Sequence, residues 1–202
     1  MDYTICCSEM YFDEVFSKGN LIDLRDVEQT SCYCGEDAQI ALRQRLSPVP
    51  VNAVHWIDSG DYHYLSLFFA ERIREPFSLV LLDHHPDNQS GVFDAGMLSC
   101  GNWVNFVEKI SFYRPFSENI PFYLSIDLDI LCPCEFRTNW DQGTLSGDDL
   151  MLEISRIAAT HRILGVDVCG GLTIQKGARP SDLALNKKFR ERLSGCLSQL
   201  GI

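Results

Sequence analysis

The stretch Phe77-Ser78-Leu79-Val80-Leu81-Leu82-Asp83-His84-His85-Pro86-Asp87 sets the reading of this chain. A nearly continuous apolar run that stops at polar residues and a proline is the pattern of a short strand buried on both faces. Two acids and two histidines then crowd the five residues where the strand ends, an unusual way to close one. A second stretch repeats the theme: Phe122-Tyr123-Leu124-Ser125-Ile126 leads into Asp127-Leu128-Asp129.

To either side, residues 51–57 and 162–168 have the same composition, which gives strands at 51–57, 77–82, 122–126 and 162–168. Segments of helical length and period lie between them at 62–74, 101–110 and 148–160. The last opens on Ser146-Gly147-Asp148-Asp149, a serine followed three residues on by an acid, which suits a helix start. A final helix is expected after Pro180-Ser181-Asp182, running to about residue 200. Ile5-Cys6-Cys7 and residues 20–27 read as edge strands, and residues 32–37 as loop. Strands alternating with helices predict a three-layer α/β/α fold around a mostly parallel sheet, in one domain spanning 1–202.

Composition narrows the function. The formal net charge is -11, and no cationic run is dense enough to release counterions from a phosphate backbone, so nucleic acid is excluded as a partner. Lys187, Lys188, Arg190 and Arg192 read instead as a solvated helix face. Hydrophobic residues make up 46% of the chain, enough to build a core. No apolar run approaches the roughly 18 residues of a membrane span. The first residues lack a basic, then apolar, leader, so a cytoplasmic protein is expected. In that setting the nine cysteines are expected as free thiols. Cys32-Tyr33-Cys34 and Cys132-Pro133-Cys134 are spaced too tightly for a zinc ribbon.

Ligands of a parallel sheet gather beyond the carboxyl ends of its strands. Each predicted strand ends at or near an acid: Asp58, Asp83, Asp127 and Asp167. In extended chain, residues two apart project to one side, which brings Asp83, His85 and Asp87 together and pairs Asp127 with Asp129. So many ionisable groups in one place would repel and desolvate one another, and divalent cations remove that conflict. Carboxylates with one or two imidazoles suit Mn²⁺, with Fe²⁺, Co²⁺ or Zn²⁺ as alternatives. His55 and His161, in apolar surroundings, read as core residues.

The ordered set Gly60-Asp61-Tyr62-His63, Asp83-His84-His85-Pro86-Asp87, Ser125-Ile126-Asp127-Leu128-Asp129 and Gly143-Thr144-Leu145-Ser146 resembles the arginase and agmatinase (ureohydrolase) superfamily, which carries G-G-D-H, D-A-H-x-D, S-x-D-x-D and G-T-P-x-x-G-G in that order. Ser99-Cys100-Gly101-Asn102-Trp103 and Trp140-Asp141-Gln142-Gly143-Thr144 are similar to an arginase-related group that includes peptide arginases. The resemblance implies two manganese ions bridged by Asp83 and Asp127, with His63 and Asp87 completing one site and His85 and Asp129 the other. A bridging hydroxide, held by Asp87, would attack a guanidinium-like carbon and expel an amine. Homo-oligomers are common in that superfamily.

This chain departs from the pattern in places. Tyr62 is inserted before His63, Cys100 stands for a histidine near the substrate, Gly170 stands for the glutamate that receives the guanidinium, and Cys132 replaces an aspartate. Cys100 and Asp167 are therefore the candidate catalytic groups beside Asp87. The chain is also about a third shorter than typical arginases, which suggests an open rim and a cationic small molecule or peptide as substrate. Two further readings share the fold: a zinc-type deacylase, and a non-catalytic metal-stabilised binding domain.

Overall fold

The computed structural model describes residues 1–11, 20–90, 96–117 and 119–201. Its centre is a six-stranded sheet in which every pairing is parallel. In chain order the strands are β1 (Asp2–Cys6), β2 (Leu21–Asp23), β4 (Val54–Ile57), β5 (Ser78–Leu82), β7 (Phe122–Asp127) and β8 (Ile163–Cys169). They lie side by side as β2-β1-β4-β8-β7-β5. Two short strands, β3 (Tyr33–Cys34) and β6 (Leu98–Ser99), form a separate antiparallel pair.

Alternation along the central strands divides the core in two. On one face Ile5, Ile57 and Tyr123 pack against α1 (Glu36–Leu46), α2 (Leu65–Ala70) and α3 (Val104–Val107) through Leu42, Leu46, Phe68, Phe69 and Val107. On the other, Val54, Trp56, Leu124, Ile126, Val166 and Val168 meet α4 (Gly147–Thr160) and α5 (Pro180–Gln199) through Leu150, Ile154, Phe189 and Leu193. Helices on both faces of a parallel sheet make the three layers that the strand composition predicts.

The differences from expectation are local. β1 is interior, lying between β2 and β4, and β2 takes the edge. α1 falls partly on residues read as loop; its apolar residues are sparse, and Gly35 opens it without a side-chain cap. The helices expected at 62–74 and 101–110 shrink to α2 and α3, because tight turns around His63 and Trp103 occupy the rest. Ser146 caps α4 as its spacing predicts, accepting the Asp149 N–H at 3.1 Å. His55 is fully buried, whereas His161 is only half-buried, stacked on Phe122 with ring centroids 3.9 Å apart. Among the cysteines, Cys132 and Cys134 are joined in a disulfide, contrary to the expectation of free thiols throughout; the remaining seven are free. No described helix is long and apolar enough to cross a membrane.

Candidate metal centre

Register builds the site. β5 pairs with β7 so that Leu82 faces Ile126, which places Asp83 and Asp127, the next residues on each strand, beside one another at the sheet's carboxyl edge. After β4 the chain makes a 3-10 turn, Gly60–Tyr62, that delivers His63 to the same edge. A second 3-10 turn, Leu128–Ile130, folds Asp129 back so that its N–H donates to Asp127 Oδ1 at 2.9 Å. The residues beyond β5 are likewise bent: Asp87 has φ +46°. The convergence expected from extended chain is thus achieved by turns, which aim the side chains more sharply than a straight strand would.

The structure brings His63, Asp83, His85, Asp87, Asp127 and Asp129 into one cluster. His63 Nδ1 lies 3.0 Å from Asp87 Oδ2, 3.2 Å from Asp83 Oδ2 and 3.6 Å from Asp127 Oδ2. His85 Nδ1 lies 2.8 Å from Asp129 Oδ2 and 3.7 Å from Asp83 Oδ1. The two oxygens of Asp83 therefore face different imidazoles. Donor atoms of His63, Asp83 and Asp87 fall within ion-binding reach of one another, and so do those of Asp83, His85 and Asp129.

Supporting contacts fix these orientations. His63 Nε2 is 2.8 Å from Ser125 Oγ, so a proton on Nε2 leaves the Nδ1 lone pair directed at the carboxylates. Trp103 Nε1 donates to Asp87 Oδ2 at 2.7 Å, and Val104 N–H to the Asp87 carbonyl at 3.1 Å. The Cys169 thiol donates to Asp127 Oδ2 at 3.0 Å. Ser125 shares a strand face with Asp127 and was legible as its i-2 neighbour. Trp103 and Cys169 come from remote elements and carry no local signal.

Burial and repulsion dominate the electrostatics. Asp129 is pushed up to about 9 by burial and then by the charges of Asp127 and Asp83. Asp127 is pushed up to about 6, burial first, although His63 works against the shift. Burial opposes charge on His63 too, but Asp83 and Asp87 outweigh it and hold the imidazole well above its usual range. Asp83 is held below the usual carboxylate range because His63 more than offsets its burial. Four carboxylates compete for too little positive charge, which is a donor set suited to divalent cations.

The cluster floors a cavity of about 130 Å³, roughly four water volumes. Trp140 forms one wall, its Nε1 donating to Asp61 Oδ1 at 3.0 Å. Asp61 is buried and also takes Asn139 at 2.9 Å and the Lys176 ammonium. Cys100 also lines the cavity, its thiol raised in pKa by the neighbouring Cys32 and by burial.

Asp167 does not reach this cavity. β8 continues two residues past it, so Asp167 lies inside the strand opposite His55 rather than at the strand end. Its Oδ1 takes His55 Nδ1 and the Tyr123 hydroxyl, both at 2.7 Å. Asp58 is likewise remote in function, bound by the Cys7, Ser8 and Ser59 N–H groups at 2.7–3.0 Å. Gly170 does border the cluster with φ +102°, and a Cβ there would lie 2.6 Å from Asp127 Oδ1.

No family model matches the chain. It is 29% identical to an uncharacterized protein of Thermotoga maritima over 58% of this chain and 57% of that protein, so it spans little more than half of that relative. Among solved structures, arginase of Entamoeba histolytica in complex with L-ornithine matches 98% of this chain and 97% of its own at TM-score 0.62 and 11% identity. Proclavaminate amidino hydrolase from Streptomyces clavuligerus matches 84% and 72% at TM-score 0.56 and 17% identity. Formiminoglutamase of Trypanosoma cruzi with Mn²⁺ matches 84% and 74% at TM-score 0.53 and 12% identity. The fold is an arginase-like three-layer α/β/α fold. At these identities the likeness is one of fold, and the chemistry rests on the side chains described above.

Proposed function

We propose that this chain is a metal-dependent hydrolase of a linear C–N bond, of ureohydrolase type, with Mn²⁺ as the favoured metal. The observation that carries the reading is Asp83, whose two carboxylate oxygens face His63 on one side and His85 on the other. One ion would be held by His63, Asp83, Asp87 and Asp127, and a second by Asp83, His85 and Asp129, with Asp127 beside both. Bound divalent cations supply Lewis acidity and bring the pKa of coordinated water toward neutrality. Asp87 is the carboxylate assigned to hold and accept the proton of the attacking water, positioned by Trp103.

The favoured substrate is a guanidino group, carried on a peptidyl-arginine side chain in preference to free arginine. A side-chain tip reaching the cluster would leave the remainder of a peptide outside this cavity of about 130 Å³. The Trp140 indole in the cavity wall suits a planar cation. Gly170 supplies no carboxylate to receive that cation, and Asp127 leaves no room for one. Cys100, kept protonated by burial and by Cys32, serves as wall rather than nucleophile in this scheme.

The test is to load the purified chain with Mn²⁺ and assay arginine, agmatine, guanidino acids, arginyl peptides and acyl-lysines for released urea or acid. Urea from arginyl peptides is expected. Efficient turnover of free arginine with none of arginyl peptides would refute the substrate assignment, and acid from acyl-lysine would refute the reaction class.

A further inference from the structure

Cys32 and Cys100 have no part in the proposed hydrolysis, yet their placement is specific. β3 and β6 pair with Tyr33 opposite Ser99 and Cys34 opposite Leu98. The next step of that register sets Cys32 opposite Cys100, and the Cys100 N–H donates to the Cys32 carbonyl at 2.9 Å. Cys32 itself has φ +62° and stands outside the regular ladder, but that one bond keeps it adjacent to Cys100, as a disulfide requires. The two thiols influence each other's ionisation, and both line the cavity.

We propose that Cys32 and Cys100 form an oxidisable dithiol on the pocket wall, a modification site whose reactant is a small hydroperoxide that enters the cavity. The Cys32 sulfur attacks the peroxide O–O bond, forming a sulfenic acid and releasing an alcohol, or water from hydrogen peroxide. The Cys100 sulfur then attacks the Cys32 sulfur and expels water. Two thiols and one hydroperoxide thus give one disulfide, one alcohol and one water, the peroxide being reduced by two electrons. Cys32 is the better initial nucleophile, since it is partly exposed and the neighbouring Cys100 draws its thiol down to about 7. The link would tie the segment that carries Trp103, and through it Asp87, to the residues preceding α1.

Its test does not depend on hydrolase activity. The full chain is treated with hydrogen peroxide, its remaining thiols are alkylated, and digested peptides are mapped by mass spectrometry. The expected result is a loss of about 2 Da, a dominant Cys32–Cys100 linked peptide, and its disappearance on adding dithiothreitol. Cys34→Ser retains the link and Cys32→Ser abolishes it. Alkylation of both Cys32 and Cys100 after treatment, sulfinic acid at either without the link, or a different dominant pair overturns the proposal in the unmutated chain.

Discussion

Replacing Gly170 by alanine probes how tightly the cluster is built. The new methyl lies 2.6 Å from Asp127 Oδ1 and 3.0 Å from the Leu128 nitrogen, neither of which is a mobile side-chain end, and the backbone has φ +102°. A non-glycine residue in such a conformation costs about 1–3 kcal/mol. Overpacking against a well-filled neighbour adds about 1–3 kcal/mol. Gly177 separates the two effects, since it has φ +93° and nothing within 4 Å of its Cβ position. Gly177→Ala should therefore lose only the backbone share, whereas Gly170→Ala should lose about 2–6 kcal/mol in denaturant titration and bind Mn²⁺ more weakly as Asp127 is displaced. Equal stabilities for the two variants, with wild-type metal affinity in both, would refute the close approach of Gly170 to Asp127.

Asp167→Ala should lower stability by about 2–5 kcal/mol, because the buried His55 and Tyr123 groups lose their partner; metal content should not change, and metal loss in a chain of undiminished stability would return Asp167 to the site. Trp140→Ala should raise KM for a cationic substrate about fivefold or more while leaving kcat within about twofold; an unchanged KM would remove Trp140 from substrate recognition. The metal-free chain should lose stability between pH 5 and pH 7. Asp129, facing Asp83, Asp127, His85 and the His84 N–H, has a folded-state pKa of about 9 against 3.8 for the ordinary group, and Asp127 about 6. The folded state then binds more protons than the unfolded one, so stability falls as pH rises, by about 4 kcal/mol over that window. His63 acts in the same direction, and Asp83 acts oppositely but at lower pH. Saturating Mn²⁺ should reverse the slope; a flat or rising metal-free profile in denaturant titrations would contradict the carboxylate crowding.

Much of this architecture is legible because β4, β7 and β8 are buried on both faces, and the edge strand β5 is partly buried on both, so that all four spell themselves as apolar runs. α1 is not, since Ala38, Leu42 and Leu46 are its only buried residues and Ile40 stays exposed. The residues that meet at the site could be picked out because each lies close behind a strand. Their geometry could not, because turns at 60–62 and 128–130 and the left-handed backbone of Asp87 set it. Asp167 misleads for a related reason: it reads as a strand-end acid although it falls inside the predicted strand 162–168, and β8 in fact runs on to Cys169, which keeps it a core carboxylate. Trp103 and Cys169 act through contacts across the fold, which no local pattern encodes.

Everything proposed for the site depends on a pair of ion positions sharing Asp83. Metal per chain, counted by plasma mass spectrometry after Mn²⁺ loading and removal of excess ion, tests that pair on wild type and on Asp83→Ala checked for folding by circular dichroism. Two ions are expected in wild type and fewer than one in the variant. One ion or none in wild type, or two retained by a folded Asp83→Ala, would contradict the shared site.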